Sequence, residues 1–255
     1  MNPTTSTSST TTTTTTAALT YGAYLRLPQL LGQQVPRAAA AHDEHLFITV
    51  HQVHELWFKQ LLTELTDARD RMLAGDGAVA VRRLRRCREI ERVLLSALEL
   101  LDTMAPPDFQ AFRGALGSAS GVQSAQFHEI EALSARRDRT RAMRWLTDAE
   151  RARLDRRLLE PTLWDGFLGL LAGLAAGDRA AALRGEGPLG DLADALLGHD
   201  EGWALWRARH VLVVERQIGG ARGTAGSSGA AYLRSRSGQR FFPELWEARG
   251  RAVLP

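Results

Sequence analysis

Residues 43–65 read DEHLFITVHQVHELWFKQLLTEL, and the fold class is decided there. The stretch holds no Gly or Pro and opens on Asp43 and Glu44. Acids in a first turn favour the positive end of the helix dipole. Phe47 and His51 are four apart, so on a helix one stands above the other, and Phe58 and Leu62 continue the stripe. The pattern predicts a helix over residues 43–74, stopped by Gly75 and Gly77. A histidine in an apolar stripe is either a packed core residue or part of a site. This stretch alone favours the packed core residue.

Working outward, the same helical period recurs and no stretch alternates with period two. Val81, Leu84, Cys87, Leu94, Leu98 and Leu101 predict a second helix over residues 78–104, ended by Pro106 and Pro107. A short helix carrying Arg113 follows, then a loop of small residues with Gly117 and Gly121. Helices are expected from residue 126 to 133, on the arginine-rich surface of residues 136–157, and over residues 162–176. In the last, Trp164, Phe167, Leu168, Leu170 and Leu171 form the expected core side. Residues 177–190 read as an exposed turn region. Over residues 201–218, Trp203, Trp206, His210, Val213, Val214 and Gln217 share one face, and Arg207, Arg209 and Arg216 lie on others. The expected architecture is all-α: a helical bundle-type single domain over residues 17–255. Ahead of it, residues 1–16 form a disordered tail, since Asn, Pro, Thr and Ser have nothing to bury.

Composition removes several functions. The chain has 255 residues, enough for one full core, and a net charge of +3. Its single cysteine, Cys87, excludes an internal disulfide framework and a cysteine-based zinc site. That usage fits a reducing cytoplasm. No apolar run approaches the roughly 20 residues that span a bilayer. The Arg82, Arg83, Arg85, Arg86 and Arg88 cluster reads as a solvated helix face rather than a nucleic-acid surface, because no aromatic residues interleave it. A di-iron bundle wants Glu-x-x-His on two helices, and a zinc protease wants His-Glu-x-x-His or its inverse. The run His51-Gln52-Val53-His54-Glu55 has neither spacing. Two helices remain, each with a histidine on an apolar, aromatic face. An all-α protein can build a haem pocket that way.

The chain resembles the tryptophan 2,3-dioxygenases of bacterial type, haem enzymes that open the indole ring. The stretches that carry the resemblance are residues 21–25 (YGAYL), 42–59 (HDEHLFITVHQVHELWFK), 109–113 (FQAFR) through 121–124 (GVQS), 205–210 (LWRARH), 223–229 (GTAGSSG) and 241–245 (FFPEL). They occur in the family's order over nearly the whole ordered chain.

The resemblance implies one haem b per subunit, with His210 as the axial iron ligand and Ser120 and Gly121 over the haem edge. It implies a substrate segment of Phe47, Ile48, Thr49, Val50 and His51, in which His51 hydrogen-bonds the indole N–H. Arg113 would clamp the substrate carboxylate, a task that suits a guanidinium fork. Phe109 stands beside it, where some members carry a tyrosine. Thr224 would hold the ammonium group together with a haem propionate. Tyr21, Tyr24 and Leu25 would reach into a neighbouring subunit's indole pocket within a homotetramer. L-Tryptophan and O2 would give N-formylkynurenine, the first step of tryptophan catabolism along the kynurenine route, with no nucleic acid or membrane involved.

Two departures bear on this. Ala225 replaces a glycine in the family's loop and is expected to alter loop closure if positive φ is needed there. The missing phenol at Phe109 leaves more to Arg113. They keep an alternative open, a superfamily monooxygenase that makes oxindole-type products from tryptophan or a modified tryptophan. A haem-binding sensor without turnover is a second alternative.

Overall fold

The computed structural model describes residues 18–135 and 143–251. The expected tail, residues 1–16, and the start of the arginine-rich segment lie outside the described residues. The chain divides into two compact units, residues 1–35 and 36–255.

In the first unit, α1 (Tyr21–Tyr24) is capped by the Thr20 hydroxyl, which accepts from the Ala23 N–H. α2 (Leu27–Leu31) carries Pro28 in its first turn, where a missing N–H costs nothing. Tyr21, Tyr24 and Leu25 are exposed.

The second unit is built on three long helices. α3 (Asp43–Leu73) starts where the sequence predicts. Glu44 is buried and bends back, its carboxylate accepting the N–H groups of Arg37 and Ala38 at 2.7–3.0 Å. The helix ends because Gly75 takes φ +86°, which lets the Asp76 N–H return to the Arg71 carbonyl. Asp76 then caps α4 (Gly77–Glu99) by accepting from Val79. α4 tightens into a 3-10 turn (Leu100–Thr103) sooner than its apolar period suggests. α5 (Pro106–Arg113), α6 (Ala125–Ser134) and α7 (Asp148–Leu159) follow; α7 carries a capping box between Thr147 and Glu150. α8 (Leu163–Ala172) has the same device in Thr162 and Asp165.

Three expectations need correction here. Leu168 is exposed, and the buried side of α8 is Leu163, Gly166, Phe167 and Leu171. Residues 177–190 are not an open turn: they hold α9 (Ala176–Leu183), whose alanines favour helix despite the flanking glycines. α10 runs Gly190–Ile218, starting eleven residues before the predicted position. Its first turns carry small and charged residues that blur the apolar period, yet Leu192, Ala193 and Leu196 are buried. α11 (Ala230–Ser237) and α12 (Pro243–Arg251) close the chain. No strand occurs among the described residues, so the all-α reading holds.

α3 and α10 both pack on α4, and Trp203, Phe112, Phe167, Phe242, Leu61 and Leu65 fill the core. Gln217 ties the end of α10 to the carbonyls of Leu101 and Met104 at 3.1 and 2.9 Å. The α4 arginines are largely spent within the chain: Arg83 pairs with Asp67, Arg86 with Glu64, Arg88 with Glu201 and Arg85 with Asp191. No helix of the described residues is long and apolar enough to cross a membrane.

Candidate functional site

α3 and α10 together wall a cavity of about 250 Å³ in the second unit. From α3 it receives Phe47, Val50, His51, His54, Glu55 and Phe58, which lie on one side of the helix by its 3.6-residue period. Ile48 and Thr49, between them in sequence, do not line it, and the Thr49 hydroxyl donates to the His45 carbonyl. The five-residue substrate segment therefore contributes only Phe47, Val50 and His51 to this cavity, because helical period turns the other two away. From α10 come Trp206, Arg207, His210 and Val213; from α5, Phe109 and Arg113; from the loops, Ser120, Gly121 and Thr224.

His51 Nδ1 lies 2.7 Å from the Phe47 carbonyl. A carbonyl only accepts, so Nδ1 carries the proton and Nε2 keeps its lone pair. Burial pulls the His51 pKa down to about 4, with the Phe47 bond opposing. The Phe47 ring packs 4.0 Å from the imidazole and fixes its plane. His210 is likewise pulled down to about 4, by burial first and then by His51 and His54. Both rings are neutral at physiological pH, the form that can accept a proton or ligate a metal. His210 leans on Trp206 at 5.1 Å and has no hydrogen-bond partner among the described residues. A neutral imidazole with an uncommitted ring nitrogen on an apolar wall suits a haem iron, so these residues fit a haem that His210 would hold. No group of three or more His, Cys, Asp or Glu side chains among the described residues could hold a metal by itself.

At the polar rim, Arg113 donates to the Arg222 carbonyl and Thr224 donates to the Ala119 carbonyl, each at 2.5 Å. These bonds fold the loop after α10 over the small-residue loop after α5. Ser120 takes its N–H to Gln123 Oε1 at 3.3 Å, and a Cβ on Gly121 would meet nothing within 4 Å. Phe109 stands edge-to-face on Phe112 at 5.3 Å. Among the described non-glycine residues only Arg26 and Leu189 have positive φ, so Ala225 is not strained; Gly226 and Gly229 take the positive-φ positions of the loop. In this conformation of the loop Ala225 carries no positive-φ penalty.

The sequence reading missed a buried charged cluster. Glu131 accepts from Arg207 at 2.9 Å, pairs with Arg236 at 3.4 Å and stands 3.9 Å from His128 Nδ1. Arg207 was placed on an outer face; it is 5% exposed, because α10 is packed around more of its circumference than one stripe suggests. Its position three before His210 was the available signal. His54 also lines the cavity, with Nδ1 donating to the Val50 carbonyl at 2.8 Å.

The family model described as tryptophan 2,3-dioxygenase matches residues 5–159 and 186–251. The chain belongs to the tryptophan 2,3-dioxygenase family. Among its relatives, the tryptophan 2,3-dioxygenase of Nocardioides sp. is 51% identical over 252 residues, covering 91% of this chain and 94% of that protein. That of Herpetosiphon aurantiacus is 40% identical, covering 91% and 98%. That of Anaeromyxobacter dehalogenans is 41% identical, covering 92% and 96%. As a member of this family the chain is an oxidoreductase, and the motif residues His51, Arg113, His210 and Thr224 meet at one cavity.

Proposed function

We propose that this chain is a haem-dependent tryptophan 2,3-dioxygenase that converts L-tryptophan and O2 to N-formylkynurenine. The observation that carries the reading is the pair of neutral imidazoles, His51 and His210, on two helices of one apolar cavity with Arg113 at its rim. His210 would hold haem b, and the haem would supply the iron chemistry of O2. Every other task falls to the chain. His51 Nε2 accepts the indole N–H and so sets the ring's orientation; it need not remove the proton, because the nitrogen lone pair already makes the indole electron-rich. Arg113 exchanges the Arg222 carbonyl for the substrate carboxylate, a stronger, charge-assisted partner. Thr224 exchanges the Ala119 carbonyl for contact with the ammonium group. Phe47, Phe109 and Val50 exclude water.

The same reading places the enzyme in the cytoplasm as a homotetramer. Tyr21, Tyr24 and Leu25, at 76, 71 and 40% exposure, are then the segment offered to a neighbouring subunit's indole pocket.

The test is anaerobic reduction of the haem-loaded chain, followed by L-tryptophan and labelled O2, with absorbance and mass spectrometry as readouts. N-formylkynurenine carrying both labelled atoms is expected. A product with one added oxygen, or none, overturns the proposal. His51→Ala is expected to keep haem and lose substrate affinity or turnover; loss of haem would refute its positioning role.

A further inference from the structure

α10 carries a line of rings that the substrate chemistry leaves unused. His210 is 5.1 Å from Trp206 between ring centroids, and Trp206 is 5.6 Å from Trp203 with planes 21° apart. The line continues from Trp203 to Phe241 at 6.4 Å, to Phe242 at 6.1 Å and to the half-buried Trp164 at 5.8 Å. Spacings of three and four residues put the first three rings on one side of the helix.

Both indoles are buried, and neither Trp203 Nε1 nor Trp206 Nε1 has a hydrogen-bond partner among the described residues. Buried indole N–H groups ordinarily find an acceptor, and two adjacent orphans call for a reason. An indole hydrogen-bonded to an acceptor passes on its proton when the ring gives up an electron. Without an acceptor the ring stays a radical cation and can take its electron back with no proton to recover. Near-parallel stacking spreads the missing electron over two rings and eases its removal. The unpartnered N–H groups thus suit reversible one-electron transfer.

We propose that Trp206 and Trp203 form a one-electron relay between the haem site and the protein exterior, with Trp164 as its outer end. This rests on the reading of His210 as the haem ligand. The relay serves when an oxidant reaches the iron with no tryptophan bound, hydrogen peroxide being the simplest. Peroxide breaks its O–O bond, takes two electrons at the haem site and two protons from solvent, and leaves as two waters. Trp206 and Trp203 each return one electron, so the haem ends as it began and the two indoles are radical cations. An external one-electron reductant such as ascorbate refills them through Trp164.

The test treats the haem-loaded ferric chain with hydrogen peroxide in the absence of L-tryptophan. Freeze-quench electron paramagnetic resonance and loss of the Soret band are the readouts. Wild type is expected to show an indole radical and slow bleaching. Trp206→Phe is expected to lose that radical and bleach several times faster. Trp203→Phe should lower the radical yield, Trp164→Phe should slow its quenching by ascorbate, and Trp57→Phe, outside the line of rings, should match wild type. Equal radical yield and bleaching in wild type, Trp206→Phe and Trp203→Phe overturn the relay. A wild-type chain that takes up no haem overturns the haem reading itself, and the relay with it.

Discussion

Two neutral histidines in one cavity make the haem-free chain sensitive to mild acid. His51 and His210 are both held down to about 4 by burial. In the unfolded chain each returns to roughly 6.5. Between those values the unfolded state binds more protons than the folded one, so stability rises with pH. It is lost as pH falls through that window. At about pH 5 an unfolded imidazole is almost fully protonated and the folded one only about a tenth so, and integrating down from about pH 7 gives ~2 kcal/mol per ring, or ~4 kcal/mol for both. His51 lowers His210 through its charge, which makes the sum an upper value. Urea unfolding of the haem-free chain at both pH values measures it, with the double variant His51→Phe/His210→Phe as reference. Asp67, Glu150 and Glu160 have lowered pKa values from their own partners, and Glu91 a raised one from burial, but both chains share them and they cancel. His54, lowered by burial in the same cavity, is also in both chains, and its coupling to His51 and His210 is part of what the comparison reads. Wild type should lose more stability than the double variant, by at most about 4 kcal/mol and by at least the ~2 kcal/mol of one ring. Equal losses would show that the cavity admits enough water to solvate the imidazolium forms, and the assignment of neutral rings would be wrong.

Other substitutions probe the frame around the cavity. Gly202→Ala places a Cβ 1.9 Å from Glu91 Oε2, against the buried carboxylate whose Oε1 bonds His199, and should cost about 3 kcal/mol or more if that pair is displaced; thermal melting within a degree of wild type would contradict this. Glu131→Ala leaves the buried Arg207 without its carboxylate and should cost about 3–5 kcal/mol in urea unfolding. Ala225→Gly should leave KM for L-tryptophan nearly unchanged, whereas Gly229→Ala, at φ +61° with a Cβ 2.3 Å from the Ala221 carbonyl, should displace the loop and raise it. Arg113→Ala removes a charge-assisted hydrogen bond and should lower kcat/KM by about 10- to 100-fold, and a smaller change would place the carboxylate elsewhere.

Stripe patterns in the sequence located what one face of a helix decides, and failed where packing surrounds the helix. α3 was legible from Asp43 to its glycine stop because its first-turn acids, its apolar period and the glycine after it agree. Phe47 and His51 followed directly, being four apart on that helix. α10 was half legible: the tryptophans marked its second half, but the first half is buried through Leu192, Ala193 and Leu196 among charged neighbours. No period distinguishes such a segment from an exposed turn. Arg207 was misplaced for the same reason. A stripe argument assigns every charge to solvent, and it has no means of seeing that Glu131, 76 residues earlier, supplies the partner. Arg113 and Thr224, which line the cavity, were proposed for the site only through the resemblance, since an arginine ending a short helix and a threonine in a glycine-rich loop carry no periodic signal. What sets their geometry is a pair of main-chain carbonyls, Arg222 and Ala119, whose positions depend on how two loops meet. Backbone acceptors have no letter in the sequence, so the polar rim of this site becomes readable only after the fold has brought those loops together.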